Sequence, residues 1–340
     1  MTQAPLLPGK LPHALLAQLL ASNRSADPRV LIGPRIGEDA AVLDMGDRYL
    51  IVKSDPITFA TDAIGYYAVT VNANDVATMG GTPRWFLATL LLPERGTTEA
   101  LVRDIFAQLR QACAALQITL IGGHTEITVG LERPILSGHM LGEVAPDRLV
   151  TGSGTEVGDA IVLTKGVPLE GIAIMARECA PKLAALGHTA AAIRRWQEFL
   201  YTPGISVVKD AAILCQAVDV HAMHDPTEGG VATGIWELAE AAGLGVRIAA
   251  DRLPVLDDGI ALCQAFGLDP LGTIASGALL ATLPADQVTQ AIAACAQAGI
   301  DCYHIGDVVA EPGERLLYTD RDAWPLPTFA QDEIVKIFRD

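Results

Sequence analysis

Amide and carboxylate side chains interrupt an apolar segment that runs from Thr70 to Pro83. Asn72, Asn74 and Asp75 lie inside this segment. Burying such groups without a partner is unfavourable, so they are either paired internally or hold a cation or ligand. On a helix, Asn72 and Asp75 share a face, and a hard cation such as Mg²⁺ prefers oxygen ligands grouped in this way, with substrate phosphates completing its octahedron.

Other turns along the chain carry similar groups next to apolar runs, and together they suggest a magnesium–nucleotide site. They are the segments Gly37-Glu38-Asp39, Ser54-Asp55-Pro56, Gly122-Gly123-His124-Thr125-Glu126 and His224-Asp225-Pro226-Thr227-Glu228-Gly229-Gly230. Simpler interpretations stay open for two of them. Asp39 also suits a surface turn before a strand, and Asp55 also suits a helix N-cap.

The order and wording of these motifs resemble one superfamily. It contains aminoimidazole ribonucleotide synthetase (AIR synthetase), selenophosphate synthetase, thiamine-monophosphate kinase and the hydrogenase expression/formation protein, and the last resembles this chain most. The resemblance runs from about Gly9 to Val308. It implies an α+β fold with a two-domain AIR-synthetase-like architecture: an N-terminal sheet domain over residues 1–154, which forms homodimers and binds ATP and magnesium, and a C-terminal α/β sandwich domain over residues 155–340.

The motifs and the resemblance together give the candidate site residues. Three sets follow: metal ligands Asp39, Asp55, Asp75 and Glu126; cofactor-binding residues Lys10, Asp39, Asn72, Asn74, Gly122, Gly123, Thr125, Gly229 and Gly230; and catalytic residues His124, Glu126 and Asp225. The glycine-rich turns allow close approach of phosphates, and the glycines at 229 and 230 precede a helix whose N-terminus favours anions. For Lys10, a solvated side chain remains an alternative to phosphate neutralisation.

The chain departs from the superfamily pattern at three places. His124 stands where relatives carry aspartate, and because histidine is a poor magnesium ligand the metal role passes to Glu126 while His124 contacts phosphate, transfers protons or makes a structural hydrogen bond. Glu228 replaces the arginine of the His-Asp-Pro-Thr-Arg-Gly-Gly motif. Hydrogenase-maturation members end in an acceptor cysteine, whereas this chain ends in Phe338-Arg339-Asp340.

Charge and composition exclude several classes of protein. The formal net charge of −16 argues against nucleic-acid or anionic-membrane binding, which needs clustered Lys and Arg. The six cysteines form no C-x-x-C pair, so a zinc or iron–sulfur site is not expected. No apolar run approaches the length of a membrane helix, and we expect a cytoplasmic protein. P-loop, dinucleotide-binding and nucleophile-elbow motifs are missing as well.

Hydrophobic periodicity predicts alternating helices and strands. The predicted strands are 42–43, 49–52, 85–92, 118–121, 135–144, 160–164, 246–248, 277–281 and 303–308, and the predicted helices are 11–20, 63–80, 98–115, 171–185, 190–199, 206–216, 233–242 and 285–298. Residues 42–43 and 49–52 are predicted to form a hairpin.

The sequence thus predicts an ATP-dependent enzyme that transfers a phosphoryl group to an oxygen of an unidentified small-molecule or protein acceptor, in contact with a hydrogenase-maturation partner. Two alternatives stay open: a small-molecule kinase or synthetase of the same superfamily, and a non-catalytic nucleotide-binding partner in a maturation assembly. ATP consumption with and without an added acceptor distinguishes them.

Overall fold

The computed structural model describes residues 11, 13–21, 26–34, 38–58 and 62–338 of the chain. They form two compact units, each built around one β-sheet. The amino-terminal unit contains the described residues within 25–34 and 39–149, and the carboxyl-terminal unit contains the others. No helix of the described residues is long and apolar enough to cross a membrane. The predicted α+β class is confirmed.

The amino-terminal unit is a six-stranded sheet with two helices. Its strands are β1 (Val30–Ile32), β2 (Ala41–Asp44), β3 (Tyr49–Ile57), β4 (Thr82–Pro93), β5 (Thr119–Thr128) and β6 (Ile135–Val144), and its helices are α2 (Ile64–Thr78) and α3 (Glu99–Ala115). The spatial order is β1-β2-β3-β6-β4-β5, with β4 and β5 parallel and the other pairs antiparallel. The predicted β2–β3 hairpin is confirmed.

Helix α2 is buried along almost its whole length, which explains its apolar sequence. It packs closely on β6 because two glycines of that strand leave room. A Cβ atom at Gly138 would collide with the Asn72 side chain and the Phe86 ring, and one at Gly142 would collide with Val76. These glycines therefore set how near the polar residues of α2 come to the sheet.

The carboxyl-terminal unit is a seven-stranded sheet with helices. Its strands are β7 (Asp159–Thr164), β8 (Ala222–His224), β9 (Gly245–Ala249), β10 (Leu280–Pro284), β11 (Cys302–Val309), β12 (Arg315–Tyr318) and β13 (Ala323–Pro325), in the order β13-β12-β9-β11-β7-β10-β8. Its helices are α1 (His13–Ala21), α4 (Leu169–Glu178), α5 (Ala180–Ala185), α6 (Ala190–Gln197), α7 (Val208–Ala217), α8 (Gly230–Ala242), α9 (Asp257–Phe266) and α10 (Val288–Gln297).

The core of this unit lies between its sheet and α8. Ile161, Ile248 and Leu280 from the sheet are fully buried together with Val231 and Ile235 of α8. Alternating strands with apolar faces and an amphipathic helix bury their surfaces in this way, and the burial stabilises the unit by about 25 cal/mol per Å² of apolar area. The unit thereby holds the segment from His224 to Gly230, which connects β8 to α8, on a rigid base.

Two sequence predictions need correction. The strand predicted to end at Ile121 continues to Thr128, because β5 pairs with β4 along residues 119–128. The helix predicted over 171–185 is two helices, α4 and α5, which meet at Cys179, two residues before Pro181. The sequence analysis also missed α9, β1, β8, β12 and β13. The boundary placed between residues 154 and 155 stays a prediction.

Candidate functional site

Three predicted magnesium ligands lie together in the amino-terminal unit, around a lysine that the sequence analysis did not select. The ammonium group of Lys53 lies 3.2 Å from Asp75 Oδ2 and 3.6 Å from Asp55 Oδ2. Lys53 and Asp55 are two residues apart in β3 and therefore share the face of the strand that meets α2, which carries Asp75. We call Lys53, Asp39, Asp55 and Asp75 the carboxylate–lysine cluster.

The third carboxylate, Asp39, reaches the cluster from the turn before β2. The hydroxyl of Thr78 lies within hydrogen-bond distance of both Asp39 Oδ2 (3.1 Å) and the carbonyl oxygen of Asp75 (2.9 Å). Thr78 is buried and belongs to the last turn of α2. The helix thus positions Asp75 directly and Asp39 through this hydroxyl.

The electrostatics of the cluster are dominated by the carboxylates around Lys53. Burial disfavours the charged form of Lys53, but the carboxylates of Asp75, Asp55 and Asp39 outweigh it and hold the pKa of the ammonium group above its ordinary value. Carboxylate oxygens grouped in this way are also the ligands that a divalent cation such as Mg²⁺ prefers.

Asn72 supplies an acceptor beside this cluster. Its amide nitrogen donates to the carbonyl oxygens of Ala68 (2.8 Å) and Asp55 (3.2 Å), which orients the side chain. The Asn72 Oδ1 atom is fully buried and has no hydrogen-bond partner among the described residues. A buried acceptor without a donor is costly, so it fits a ligand or a hydrated cation at this position. Asn74 is also fully buried.

The segment with Gly122 and Gly123 is strand, not turn. His124 and Glu126 are two residues apart in β5 and lie on the same side, as expected, with Nε2 of His124 3.1 Å from Glu126 Oε2. Both side chains and that of Thr125 are exposed. β5 is an edge strand of the sheet, and its apolar side chains Ile121 and Ile127 are 51% and 61% exposed.

In the carboxyl-terminal unit, the segment between β8 and α8 is closed by a carboxylate from the end of the chain. Gly229 adopts a left-handed conformation (φ 83°) before the first turn of α8. Its amide donates to Asp332 Oδ2 (2.6 Å), and the amide of Gly230 donates to the carbonyl oxygen of Thr227 (3.0 Å). A phosphate bound at Gly229 would have to replace the Asp332 carboxylate.

Asp225 and both histidines near it are buried or half-buried. His221 lies 2.9 Å from Asp159 and His224 lies 3.1 Å from Glu237, so each imidazole has its own carboxylate in this unit. Asp225 is 1% exposed.

Glu170 and Asp332 are acidic residues that the sequence analysis missed. The pKa of the Glu170 carboxyl is raised to about 8, mainly by burial and also by the charges of Glu228, Asp332 and Asp225, against the lowering effect of a hydrogen bond with Ser276. Burial also raises the pKa of Asp332 to about 6. No local motif marks either residue, because a glutamate in the first turn of a helix is common and does not by itself indicate a site.

The predicted roles of the site residues stay predictions, since the geometry alone does not test them. Asp39, Asp55, Asp75 and Asn72 come together in the amino-terminal unit, whereas His124 and Glu126 lie on the exposed edge strand. Lys10 lies outside the described residues.

Comparison with known proteins assigns the family. Residues 37–144 match the N-terminal domain, and residues 156–319 the C-terminal domain, of the AIR synthase related proteins. The two matches cover most of the chain, so this protein belongs to the AIR synthase related family. The predicted two-domain AIR-synthetase-like architecture and the resemblance to hydrogenase expression/formation proteins are thereby confirmed.

Individual relatives come from hydrogenase maturation. A hydrogenase expression/formation protein of Methanocaldococcus jannaschii is 29% identical over 251 residues, which cover 72% of this chain and 70% of the relative. The fold is similar to HypE in a HypE–HypF complex (TM-score 0.73, 18% identity, 93% of this chain and 100% of that one). It is also similar to HypE in complex with ATP (TM-score 0.68, 22% identity, 91% and 92%).

Proposed function

We propose that this protein is an ATP-dependent enzyme that binds magnesium–ATP at the carboxylate–lysine cluster and transfers a phosphoryl group to an oxygen of an acceptor. The observation that carries the proposal is the grouping of Asp39, Asp55 and Asp75 around Lys53. A similarly folded HypE binds ATP, which supports the choice of nucleotide.

The acidic, basic and amide side chains of the site have different roles in this proposal. Asp75, Asp55 and Asp39 hold magnesium, which neutralises phosphate oxygens and so favours attack at phosphorus. Lys53 keeps the carboxylates together and adds a positive charge toward the phosphates. Asn72 and Asn74 orient ligands, and the backbone at Gly122 and Gly123 lets phosphates approach. Phosphoryl transfer needs little more than such positioning and charge stabilisation.

The exposed β5 strand supports the proposed homodimer. An edge strand with free hydrogen-bonding groups and exposed isoleucines is a surface that a second copy can cover. We propose that two copies meet along β5, which also brings His124 and Glu126 into the interface region. His124 then contacts phosphate or transfers a proton, and Glu126 adds a carboxylate to the metal.

A maturation partner is the second part of the proposal. A relative named for hydrogenase expression/formation and a HypE–HypF complex of similar fold support this part of the proposal. A small-molecule kinase or synthetase of the same family is the alternative, and the two differ in whether ATP is consumed with a small acceptor or only with a protein partner.

The test is calorimetric titration of magnesium–ATP into the full-length protein and into Asp75→Asn, with phosphate release followed in the same samples. We expect binding to the unaltered protein and a loss of at least about tenfold in Asp75→Asn, because one metal ligand and the main partner of Lys53 are neutralised. Asp104→Asn, an exposed change in α3, is the matched control. The proposal is falsified if the unaltered protein binds no magnesium–ATP.

A further inference from the structure

Four carboxylates lie close together in the carboxyl-terminal unit, away from the carboxylate–lysine cluster in the sequence. We call them the acidic pocket: Glu170, Asp225, Glu228 and Asp332. A series of backbone contacts brings them together. The amide of Gly171, next to Glu170, donates to the carbonyl oxygen of Ile274 (3.1 Å), and the amide of Ile274 donates to Asp332 (3.3 Å).

The series continues to the segment that carries the other two acids. Asp332 accepts the amide of Gly229 at 2.6 Å, and Glu228 and Asp225 lie just before Gly229 in the chain. The negative charges of Glu228, Asp332 and Asp225 all raise the pKa of Glu170, which places the four groups within electrostatic reach of one another. Glu228 is half-buried and forms the most accessible part of the pocket.

Glu170 indicates what kind of ligand the acidic pocket binds. Its side chain is 5% exposed, and its Oε2 atom has no hydrogen-bond partner among the described residues. Among those residues Glu170 and Asp332 also form no ion pair. A buried carboxylate oxygen without a donor, next to three more acids, is expensive for the free protein and attractive to a positively charged donor group.

The buried acceptor favours a cation that carries hydrogen-bond donors of its own, because the Glu170 Oε2 atom has no partner among the described residues. An organic cation carries several N–H donors on a larger frame and can reach carboxylates that are farther apart.

We propose that the acidic pocket binds an ammonium or guanidinium group. The binding does not depend on ATP. Cation binding needs the charged form of Glu170, so it releases a proton at pH values where the free carboxyl is protonated.

The experiment is calorimetric titration of propylammonium chloride and of methylguanidinium chloride into the full-length, nucleotide-free protein, in two buffers of different ionisation enthalpy. Measurements are made one pH unit below and one above the pKa of Glu170. Sodium chloride at equal ionic strength is the reference. We expect saturable binding of the probe that is stronger at the higher pH and is accompanied by proton release at the lower pH. The probe that binds more tightly shows whether the pocket prefers an ammonium or a guanidinium group.

Variants locate the binding. Glu170→Gln and Glu228→Gln are each expected to weaken binding of the probe by about tenfold, because each removes one charged hydrogen bond. Glu170→Gln also abolishes the proton release. Glu311→Gln, on an exposed turn, leaves binding unchanged. Glu228→Gln, at the half-buried position, keeps the test valid if Glu170→Gln does not fold.

The proposal is wrong if sodium chloride reproduces the heat of both probes, if neither probe binds, or if binding persists unchanged in Glu170→Gln and Glu228→Gln. Because no nucleotide is present, these outcomes are independent of the magnesium–ATP titration. A protein that binds ATP but neither cation refutes this inference alone.

Discussion

At the scale of single residues, Lys53 changes the meaning of the acidic motifs. From the sequence, three carboxylates predict a magnesium site that contains no cationic side chain. The structure places the ammonium group of Lys53 beside two of these carboxylates. The lysine keeps the carboxylates together when no metal is bound, and it lowers the negative charge that a metal would otherwise meet. The Lys53 ammonium group and a bound magnesium ion therefore compete for the same carboxylates.

Replacing Lys53 with methionine tests this competition. We expect Lys53→Met to lower the free energy of unfolding in metal-free buffer by about 3 kcal/mol, because Asp75 remains buried without its partner. Nucleotide-free magnesium binding should become tighter, since three carboxylates then lack a counter-charge. Urea unfolding and magnesium calorimetry measure the two effects.

Lys209→Met is the matched control, because Lys209 is exposed and its ammonium group donates to a backbone carbonyl. This variant should change unfolding by no more than about 0.5 kcal/mol. Unchanged or weaker magnesium binding in Lys53→Met would contradict the competition.

Glu170 predicts a pH dependence whose sign follows from its pKa. The carboxyl has a pKa of about 8 in the folded protein against an ordinary value of 4.5, so the folded state holds a proton that the unfolded state loses first. The stability that this proton contributes is complete below pH 4.5 and is lost as pH rises through about 8. Glutamine has no such proton to lose.

We therefore expect Glu170→Gln to gain stability relative to the unaltered protein as pH rises across this range, by up to the order of 5 kcal/mol. Urea unfolding at a series of pH values measures the difference. Glu311→Gln should give a difference that does not vary with pH. A constant difference for Glu170→Gln as well would show that its carboxyl titrates normally.

At the scale of secondary structure, the position of α2 depends on two glycines in β6. The sequence predicted both elements, and β6 lies within the predicted range. The strand contains glycines 138 and 142, for which the sequence pattern gives no reason. The structure supplies it: the helix approaches so closely that a side chain at either position would meet α2 or its neighbours.

Gly138→Ala tests this close approach. The added methyl group would collide with the Asn72 amide and the Phe86 ring, so we expect a loss of about 2 kcal/mol in the free energy of unfolding and weaker magnesium–ATP binding. Gly33→Ala, where the nearest atom lies 3.7 Å from the added group, should change neither. Equal effects of the two substitutions would rule out close packing as the reason for Gly138.

At the same scale, the sequence could not predict the end of β5 or the role of the last residues of the chain. Gly122 and Gly123 suggested a turn by composition, but pairing with β4 keeps them extended. Asp332 lies in a segment without periodicity, and its three backbone donors come from Gly229, Ile274 and Ile334. Two of these donors are far away in sequence, so only tertiary contacts reveal the role of Asp332.

At the scale of the whole molecule, the edge strand makes association testable. Ile121→Asp together with Ile127→Asp places charges on β5, and if two copies pair there we expect the dimer to become a monomer without loss of fold. Light scattering with size-exclusion chromatography measures the mass. Leu186→Asp, at a position 53% exposed in the other unit, is the matched control.

If the protein with both substitutions is still a dimer, the interface does not lie along β5. If the unaltered protein is already a monomer, the homodimer is no longer part of the proposal. In either case the carboxylate–lysine cluster is unaffected, because all its residues lie within the amino-terminal unit of one chain.

The sequence by itself determined the family, the α+β class and which acidic motifs matter. The reason is that the order of motifs and the periodicity of hydrophobic residues depend only on positions along the chain. Tertiary structure alone decided that Lys53 lies among the magnesium ligands, that Asp332 closes the Gly229 turn and that Glu170 joins a second group of acids. Each of these depends on the distance between residues far apart in the chain, and the charges and burial that set their pKa values exist only after the strands and helices have packed.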